Sequence, residues 1–378
     1  MRQKSTLRSL ALALAGVFLL SGASGAAPVE APGSEAPELG EEALTLLYNL
    51  DYGSAISGYR RISEQDPDQP MPHNFLAYSY LLQEIDRLGD LDRSICSESK
   101  STLKAPAPIP NPAFVERFES QVNQAMAAAD RRLLENPQDV EALYGMGVAH
   151  MLRAFYTFRI RKKAFEGLNQ ARKAQRFCRR SVKLDPYFYD AYLMTGLYDY
   201  ALGSLPPIAK FLLFFKGARG NKKMGLVEVR AAAAHGTRDP TASKIILGIL
   251  LGREKEWDSV REIVVGLERR YPRNYYLPLL LAAAWEKQGK TEEALAVYES
   301  VLDRIGDSAS GFERAPVSRI RYQAAVLLLR DGGKKRSLTY LDRIIDEPEA
   351  PNKLKELARM RRGTILAPVA ARELSGGS

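Results

Sequence analysis

Residues 276–304 read YLPLLLAAAWEKQGKTEEALAVYESVLDR, and this stretch decides the fold class. Its first half is an apolar run, which a Gly-Lys-Thr turn separates from a second amphipathic segment. In that second segment Ala294, Tyr298 and Val301 are spaced by four and then three residues. This spacing places the three side chains on one stripe of a helix. The stretch therefore predicts two helices joined by a tight turn.

The same spacing returns along the chain, and a proline usually follows it. Proline ends a helix because it lacks an amide donor and disfavours helical geometry in the residue before it. Each copy therefore predicts an amphipathic helix with a fixed end. The copies are Ala55, Tyr59, Ile62 and Pro67; Ala125, Ala129, Arg132 and Pro137; Ala174, Cys178, Ser181 and Pro186; Val260, Val264, Leu267 and Pro272; and, more loosely, Ser337, Leu341, Ile344 and Pro348.

A second helical segment lies upstream of most copies, so the repeated unit is a helix hairpin. These upstream segments are residues 75–85, 142–156, 191–202, 276–288 and 317–329. Pro272 and Gly306 are 34 residues apart, which is the tetratricopeptide-repeat (TPR) period, and residues 276–304 resemble that family, including the turn 289–294. The resemblance implies an all-α, TPR-like α-solenoid of stacked hairpins in a right-handed superhelix, with irregular insertions. It also implies a non-catalytic scaffold that binds a protein or peptide partner.

A second, local resemblance covers residues 187–226. The block Gly203-Ser-Leu-Pro-Pro, the apolar run after it and the turn Gly217-Ala-Arg-Gly-Asn are similar to a eukaryotic TPR family linked to the mitochondrial outer membrane. The similarity supports an inserted element here and implies no function by itself.

The order of segments predicts the domain organisation. We expect a signal peptide at 1–26, a flexible Pro- and Ala-rich leader at 27–38, and a degenerate TPR-like array at 39–350. Within the array we expect a loop insertion at about 89–112 and an apolar insertion at about 205–223. A capping helix and tail follow at 351–378.

The N-terminus has the three parts of a secretory signal peptide. A basic start precedes the apolar run Leu10 to Leu20 and the small residues Ser21 to Ala26. We expect cleavage after Ala26 and a mature chain exported to the periplasm or beyond the cell. Since no cysteine follows the apolar run directly and no later segment is long enough to span a bilayer, we expect it to be soluble or peripherally membrane-associated.

Catalytic and metal-binding patterns are missing from the sequence. His73, His150 and His235 are the only histidines, and none has metal-ligand spacing to Cys, Asp or Glu. Gly289-Lys290-Thr291 lacks the earlier glycine of a phosphate-binding loop, because position 284 is alanine. We therefore expect no enzyme activity, no metal and no cofactor.

The positive charge is concentrated in one part of the chain. The whole chain carries +9, whereas residues 153–223 hold sixteen Lys or Arg against four Asp or Glu, a net of +12. One predicted helix contains a basic patch of Arg172, Arg176, Arg179, Arg180 and Lys183. The patch predicts contact with a polyanion or an anionic membrane surface, or it is only a solvated helix face. Because export is predicted, we expect no nucleic acid partner.

Two further groups have an open interpretation. The apolar insertion, with Ile208, Phe211, Leu212 and Phe215, either packs in the core or inserts into a membrane interface or a partner. Matching repeat register makes Tyr78, Tyr144 and Tyr200 candidates for a partner-binding groove, with ordinary inter-helix packing as the alternative.

Several functions remain open at this point. Cys96 and Cys178 are the only cysteines and allow one disulfide, or Cys178 is a buried free thiol. The leading hypothesis is an exported scaffold for protein-protein interaction in the cell envelope. The alternatives are a component that binds a lipid or a small anionic ligand, and an accessory subunit of an envelope transporter or assembly machine.

Overall fold

The computed structural model describes residues 36–89, 108–214, 218–307 and 311–375. The predicted signal peptide, most of the predicted leader, Cys96 and Phe215 lie outside these ranges, and so does most of the predicted loop insertion. Every regular element within them is an α-helix, which confirms the all-α prediction.

The described helices are numbered α1 to α16 in chain order. Their bounds are α1 Ala36–Tyr48, α2 Tyr52–Gln65, α3 Pro70–Arg87, α4 Pro112–Glu135, α5 Val140–Arg159, α6 Ala164–Leu184, α7 Asp190–Gly203, α8 Pro207–Phe214, α9 Lys222–His235, α10 Pro240–Glu254, α11 Trp257–Arg270, α12 Tyr276–Lys287, α13 Thr291–Gly306, α14 Val317–Arg330, α15 Lys334–Asp346 and α16 Asn352–Ser375.

The helices group into two compact units. The first unit extends to Ser259 and the second begins at Val260, so the boundary lies in the first turn of α11. The second unit contains the rest of α11 and helices α12 to α16. In the first unit α1 packs on α2, α3 on α4, α5 on α6, and α7 on α9, with the short α8 inserted between α7 and α9. In the second unit α12 packs on α13 and α14 on α15, and α16 covers α15. Predicted hairpins are thus present in both units, but α7 (predicted segment 191–202) pairs with α9, and the sequence analysis predicted neither α9 nor α10.

The second helix of each hairpin ends where the sequence predicts. Helices α2, α4 and α6 stop one residue before an extended Asp66, Asn136 or Asp185, and a proline follows each of them. The three residues have ψ between 86° and 98°, far from helical values. In these three hairpins the proline therefore sets where the second helix ends, and it fixes where the next hairpin begins.

The repeated stripe forms the core contact between paired helices. In α6, Ala174, Cys178 and Ser181 are fully buried against α5. Gly147 of α5 allows this close approach, because an added Cβ there would lie 2.3 Å from Cys178 Sγ and 3.3 Å from the Ala174 carbonyl oxygen. The small residue and the thiol therefore fit together as one packing unit.

The substitution Gly147→Ala should lower the free energy of unfolding by about 1–3 kcal/mol, because the added methyl overpacks the α5–α6 contact. Urea unfolding in reducing buffer, followed by circular dichroism, measures the change. The matched control is Gly266→Ala in α11, where nothing lies within 4 Å of the added Cβ, so that change should stabilise the chain by up to about 1 kcal/mol. Adding Cys178→Ala to Gly147→Ala should recover part of the loss; no recovery would contradict the thiol contact.

Candidate partner-binding surface

Helix α6 carries all five cations of the predicted basic patch, but they do not form one surface. Arg179 lies between helices: its guanidinium is 2.5 Å from Glu228 Oε1 of α9 and 2.8 Å from Asp199 Oδ2 of α7. The hydroxyl of Thr195 donates to the other oxygen of Glu228 at 2.6 Å. Burial raises the pKa of Asp199 to about 6, while Arg179 acts to lower it. Arg179 therefore joins three helices.

Two other cations of the patch also serve the fold. Arg172 hydrogen-bonds the hydroxyl of Tyr198 on α7. Arg180 is exposed but donates to the carbonyl oxygen of Pro137 at 2.5 Å, just before α5 begins. The sequence could not distinguish these roles, because the partners belong to α7 and to the turn before α5.

An outer basic stripe lies on the solvent side of α6. We define it as Lys173, Arg176, Arg180 and Lys183, all of which are exposed. Their spacing of three, four and three residues keeps them on one face, and the stripe is about 15 Å long at 1.5 Å per residue. The basic patch predicted from sequence omitted Lys173, although the same spacing identifies it.

The three candidate groove tyrosines are in the interior of the first unit. Tyr78, Tyr144 and Tyr200 are each only 1% exposed. The Tyr144 ring meets Phe188 edge to face at 5.2 Å, and the Tyr200 hydroxyl donates to Glu254 at 2.6 Å. These positions match inter-helix packing, the alternative that the sequence left open, and leave no surface of the three side chains for a partner.

A polar cluster that the sequence analysis missed fills the same interior. We call it the interior cluster: Tyr48, Asp190, Arg238 and Asp239. The Tyr48 hydroxyl on α1 donates to Asp239 Oδ2 at 2.8 Å, although the two residues are 191 positions apart. Asp239 Oδ1 also caps α10 by accepting from the Ala242 amide at 2.8 Å. The cluster links α1, the first described helix of the unit, to the start of α10.

Asp190 and Arg238 complete the interior cluster. The carboxylate of Asp190 accepts from the backbone amides of Thr237 and Arg238, at 3.2 and 3.0 Å. The Arg238 guanidinium pairs with Glu141 at the start of α5 and lies over the Phe188 ring, 5.1 Å from its centroid. Each member of the cluster thus has a hydrogen-bond or ion-pair partner, as burial of polar groups requires.

The apolar insertion forms helix α8 and is neither wholly buried nor wholly exposed. Ala209 and Leu213 are buried, whereas Ile208 and Phe211 are 70% and 63% exposed. The side chain of Leu212 and the whole of Phe215 lie outside the described residues. One side of α8 therefore packs on the first unit and the other faces outward.

The remaining candidate residues add no reactive site to the described part of the chain. Cys178 is fully buried, and burial raises the pKa of its thiol, which makes it unreactive. Its predicted disulfide involves Cys96 and stays a prediction. His73 and His150 hydrogen-bond Gln121 and Gln170 respectively. The described residues contain no cluster suited to a metal ion, and none of their helices is long and apolar enough to cross a bilayer.

Among the comparisons with known proteins, only the one with solved structures found similarity. No family model and no curated protein matches the chain. A tetratricopeptide repeat protein from Parabacteroides merdae is 14% identical, with 86% of this chain and 97% of that chain covered and a TM-score of 0.33. Human IFIT1, solved with m7Gppp-AAAA, is 11% identical (89% and 78% covered, TM-score 0.39), and yeast Tom70 is 12% identical (90% and 92% covered, TM-score 0.28). The assignment of this chain as a TPR-like hairpin array rests on its own helices and their packing.

Replacing Arg179 by Met should lower the free energy of unfolding by about 2–4 kcal/mol, because it leaves the buried Glu228 without its cation. The matched control, Arg176→Met on the outer basic stripe, should change it by about 0.5 kcal/mol or less. Urea unfolding of both variants measures the difference. Equal effects would contradict the division of α6 into an inner and an outer cationic face.

The interior cluster should make the first unit more stable at pH 5 than at pH 8. Burial raises the pKa of Asp239 to about 7, so the folded chain holds this proton more tightly than the unfolded chain, where the pKa is near 3.9. The free energy of unfolding therefore falls as pH rises from about 4 to about 7, by at most about 4 kcal/mol. Burial also raises the pKa of the neighbouring Asp190, which acts in the same direction.

The variant Asp239→Asn isolates this contribution because it does not titrate. Its carbonyl oxygen still accepts from the Ala242 amide, and its NH2 group can donate to the Tyr48 hydroxyl oxygen in place of the bond that the carboxylate accepts. Urea unfolding at several pH values should show a smaller decrease for the variant than for the wild type. Identical pH profiles would contradict the role of Asp239.

Proposed function

We propose that this protein is an exported, non-catalytic scaffold that binds a partner protein in the cell envelope. The observation that carries the proposal is the outer basic stripe, Lys173, Arg176, Arg180 and Lys183, on a helix that other contacts hold in place. Its partner is a protein or peptide with an acidic segment, since four cations along one face favour an extended negative charge.

The way α6 is held supports this use. Its apolar stripe packs on α5, and Arg179 ties it to α7 and α9. A rigid helix presents its outer side chains without an ordering cost for the backbone, which lowers the entropic cost of association. A flexible basic tail would lack this advantage.

The buried interior of the first unit also favours a partner that binds on the outer surface. The tyrosines that repeat register would put in a groove are buried. The interior cluster lies against Tyr78 and Tyr144, and Tyr200 is bonded to Glu254. A partner therefore meets the outer faces of the second helices, and in the first unit α6 carries the largest net positive charge of these helices.

Export is the second half of the proposal. It rests on the basic, apolar and small-residue order of residues 1–26. After cleavage the mature chain would begin at Ala27. We propose that it acts in the periplasm or outside the cell, alone or as an accessory subunit of a larger envelope assembly.

The test is a pull-down from an envelope extract of the source organism with the mature chain, residues 27–378, as bait. The triple variant Lys173→Glu, Arg176→Glu, Lys183→Glu should retain about tenfold less of the partner than the wild type. This corresponds to a loss of about 0.5 kcal/mol of binding free energy for each reversed charge. Retention by the wild type should also fall as salt rises. Arg180 is left unchanged because it supports the start of α5.

The matched control reverses the charge of three exposed lysines of the second unit, by replacing Lys334, Lys335 and Lys353 with Glu. It should retain the partner like the wild type, and all three proteins should unfold at the same urea concentration. A partner set unaffected by the stripe variant would refute the role of α6, and turnover of a substrate by the purified chain would refute the non-catalytic role.

A further inference from the structure

Four large apolar side chains are exposed close together in sequence, on α8 and α9. Ile208 and Phe211 on α8 are 70% and 63% exposed, and Met224 and Val227 on α9 are 52% and 60% exposed. Each pair is three residues apart, so its two side chains lie on one helix face. Isolated exposed apolar residues are ordinary, but such a concentration indicates an interaction site.

Both helices begin at the same place in the fold, the C-terminal end of α7. Helix α8 starts four residues after Gly203, and a Cβ added at Gly203 would lie 2.1 Å from the Lys222 amide nitrogen. The Asn221 side chain caps α9 by accepting from the amides of Lys223 and Met224. These contacts hold the first turn of α9 next to the N-terminal end of α8. The exposed apolar side chains of α9 begin in this turn.

The sequence around these side chains is basic. Residues 204–227 include five Lys or Arg and no Asp or Glu, and of these Lys222 pairs with Glu254 of α10. Lys210 and Lys223 are exposed on α8 and α9, next in sequence to the apolar side chains. A surface that combines exposed apolar groups with surrounding cations is complementary to an anionic lipid surface.

We propose that α8 and the first turns of α9 form a docking surface for an anionic lipid bilayer. Ile208, Phe211, Met224 and Val227 enter the interface between headgroups and acyl chains. Lys210 and Lys223 extend to the lipid phosphates, as long cationic side chains do at membrane interfaces. The contact is peripheral, since α8 has eight residues and is about 12 Å long, whereas a bilayer core is about 30 Å thick.

The test uses the purified mature chain and lipid vesicles, without any partner protein, so it is independent of the proposed scaffold function. The chain should float with phosphatidylglycerol–phosphatidylcholine vesicles and not with pure phosphatidylcholine, and less so at higher salt. The pair Ile208→Ser, Phe211→Ser and the pair Met224→Ser, Val227→Ser should each lower the partition constant about tenfold or more.

The matched control is Ile109→Ser with Leu134→Ser, which removes two even more exposed apolar side chains elsewhere on the first unit. It should bind vesicles like the wild type. The variant Ile208→Trp adds a direct readout: its fluorescence should shift to shorter wavelength with anionic vesicles and be quenched by brominated lipids.

Three results would overturn the proposal. The first is no flotation with anionic vesicles. The second is flotation that neither serine pair weakens, which would leave the outer basic stripe as the sole contact. The third is a dimer that the serine pairs abolish in the absence of lipid binding, which would make a second copy of the chain the occupant of this surface.

Discussion

A helix hairpin has an apolar stripe that it cannot bury by itself, and the whole array depends on this constraint. The stripe of α6, with Ala174, Cys178 and Ser181, is covered only because α5 brings Gly147 close enough for contact. Within each unit, a further hairpin covers apolar surface that the previous one leaves open. The proline after α2, α4 and α6 fixes where each of these helices ends, so that the next hairpin begins at a defined residue.

The hairpins could be predicted because their signals are local. Spacings of four and three residues and a following proline act within one or two turns, and the segment predicted at 276–288 is α12, Tyr276–Lys287. The interior cluster could not be predicted in this way. Tyr48 and Asp239 are 191 positions apart, and their contact depends on how several hairpins add up, which no short pattern encodes.

The basic helix shows where a sequence pattern loses information. Arg172 and Arg179 are seven residues apart, two turns of α6, and border the apolar stripe, so a helical projection groups them with the outer cations. Their partners, Tyr198, Asp199 and Glu228, come from two other helices. Only the stacked structure separates cations that hold α6 in place from cations that face solvent.

The inner and outer charges of the first unit are nevertheless connected. Arg179 ties α6 to α7 and α9, and the same helix carries the outer basic stripe on its solvent side. The ion pairs of Glu228 and Asp199 with Arg179 therefore also hold in place the helix that presents the outer cations. Because Tyr78, Tyr144 and Tyr200 are buried, our proposals place the recognition chemistry of this unit on its outer face, where cations and apolar side chains are exposed.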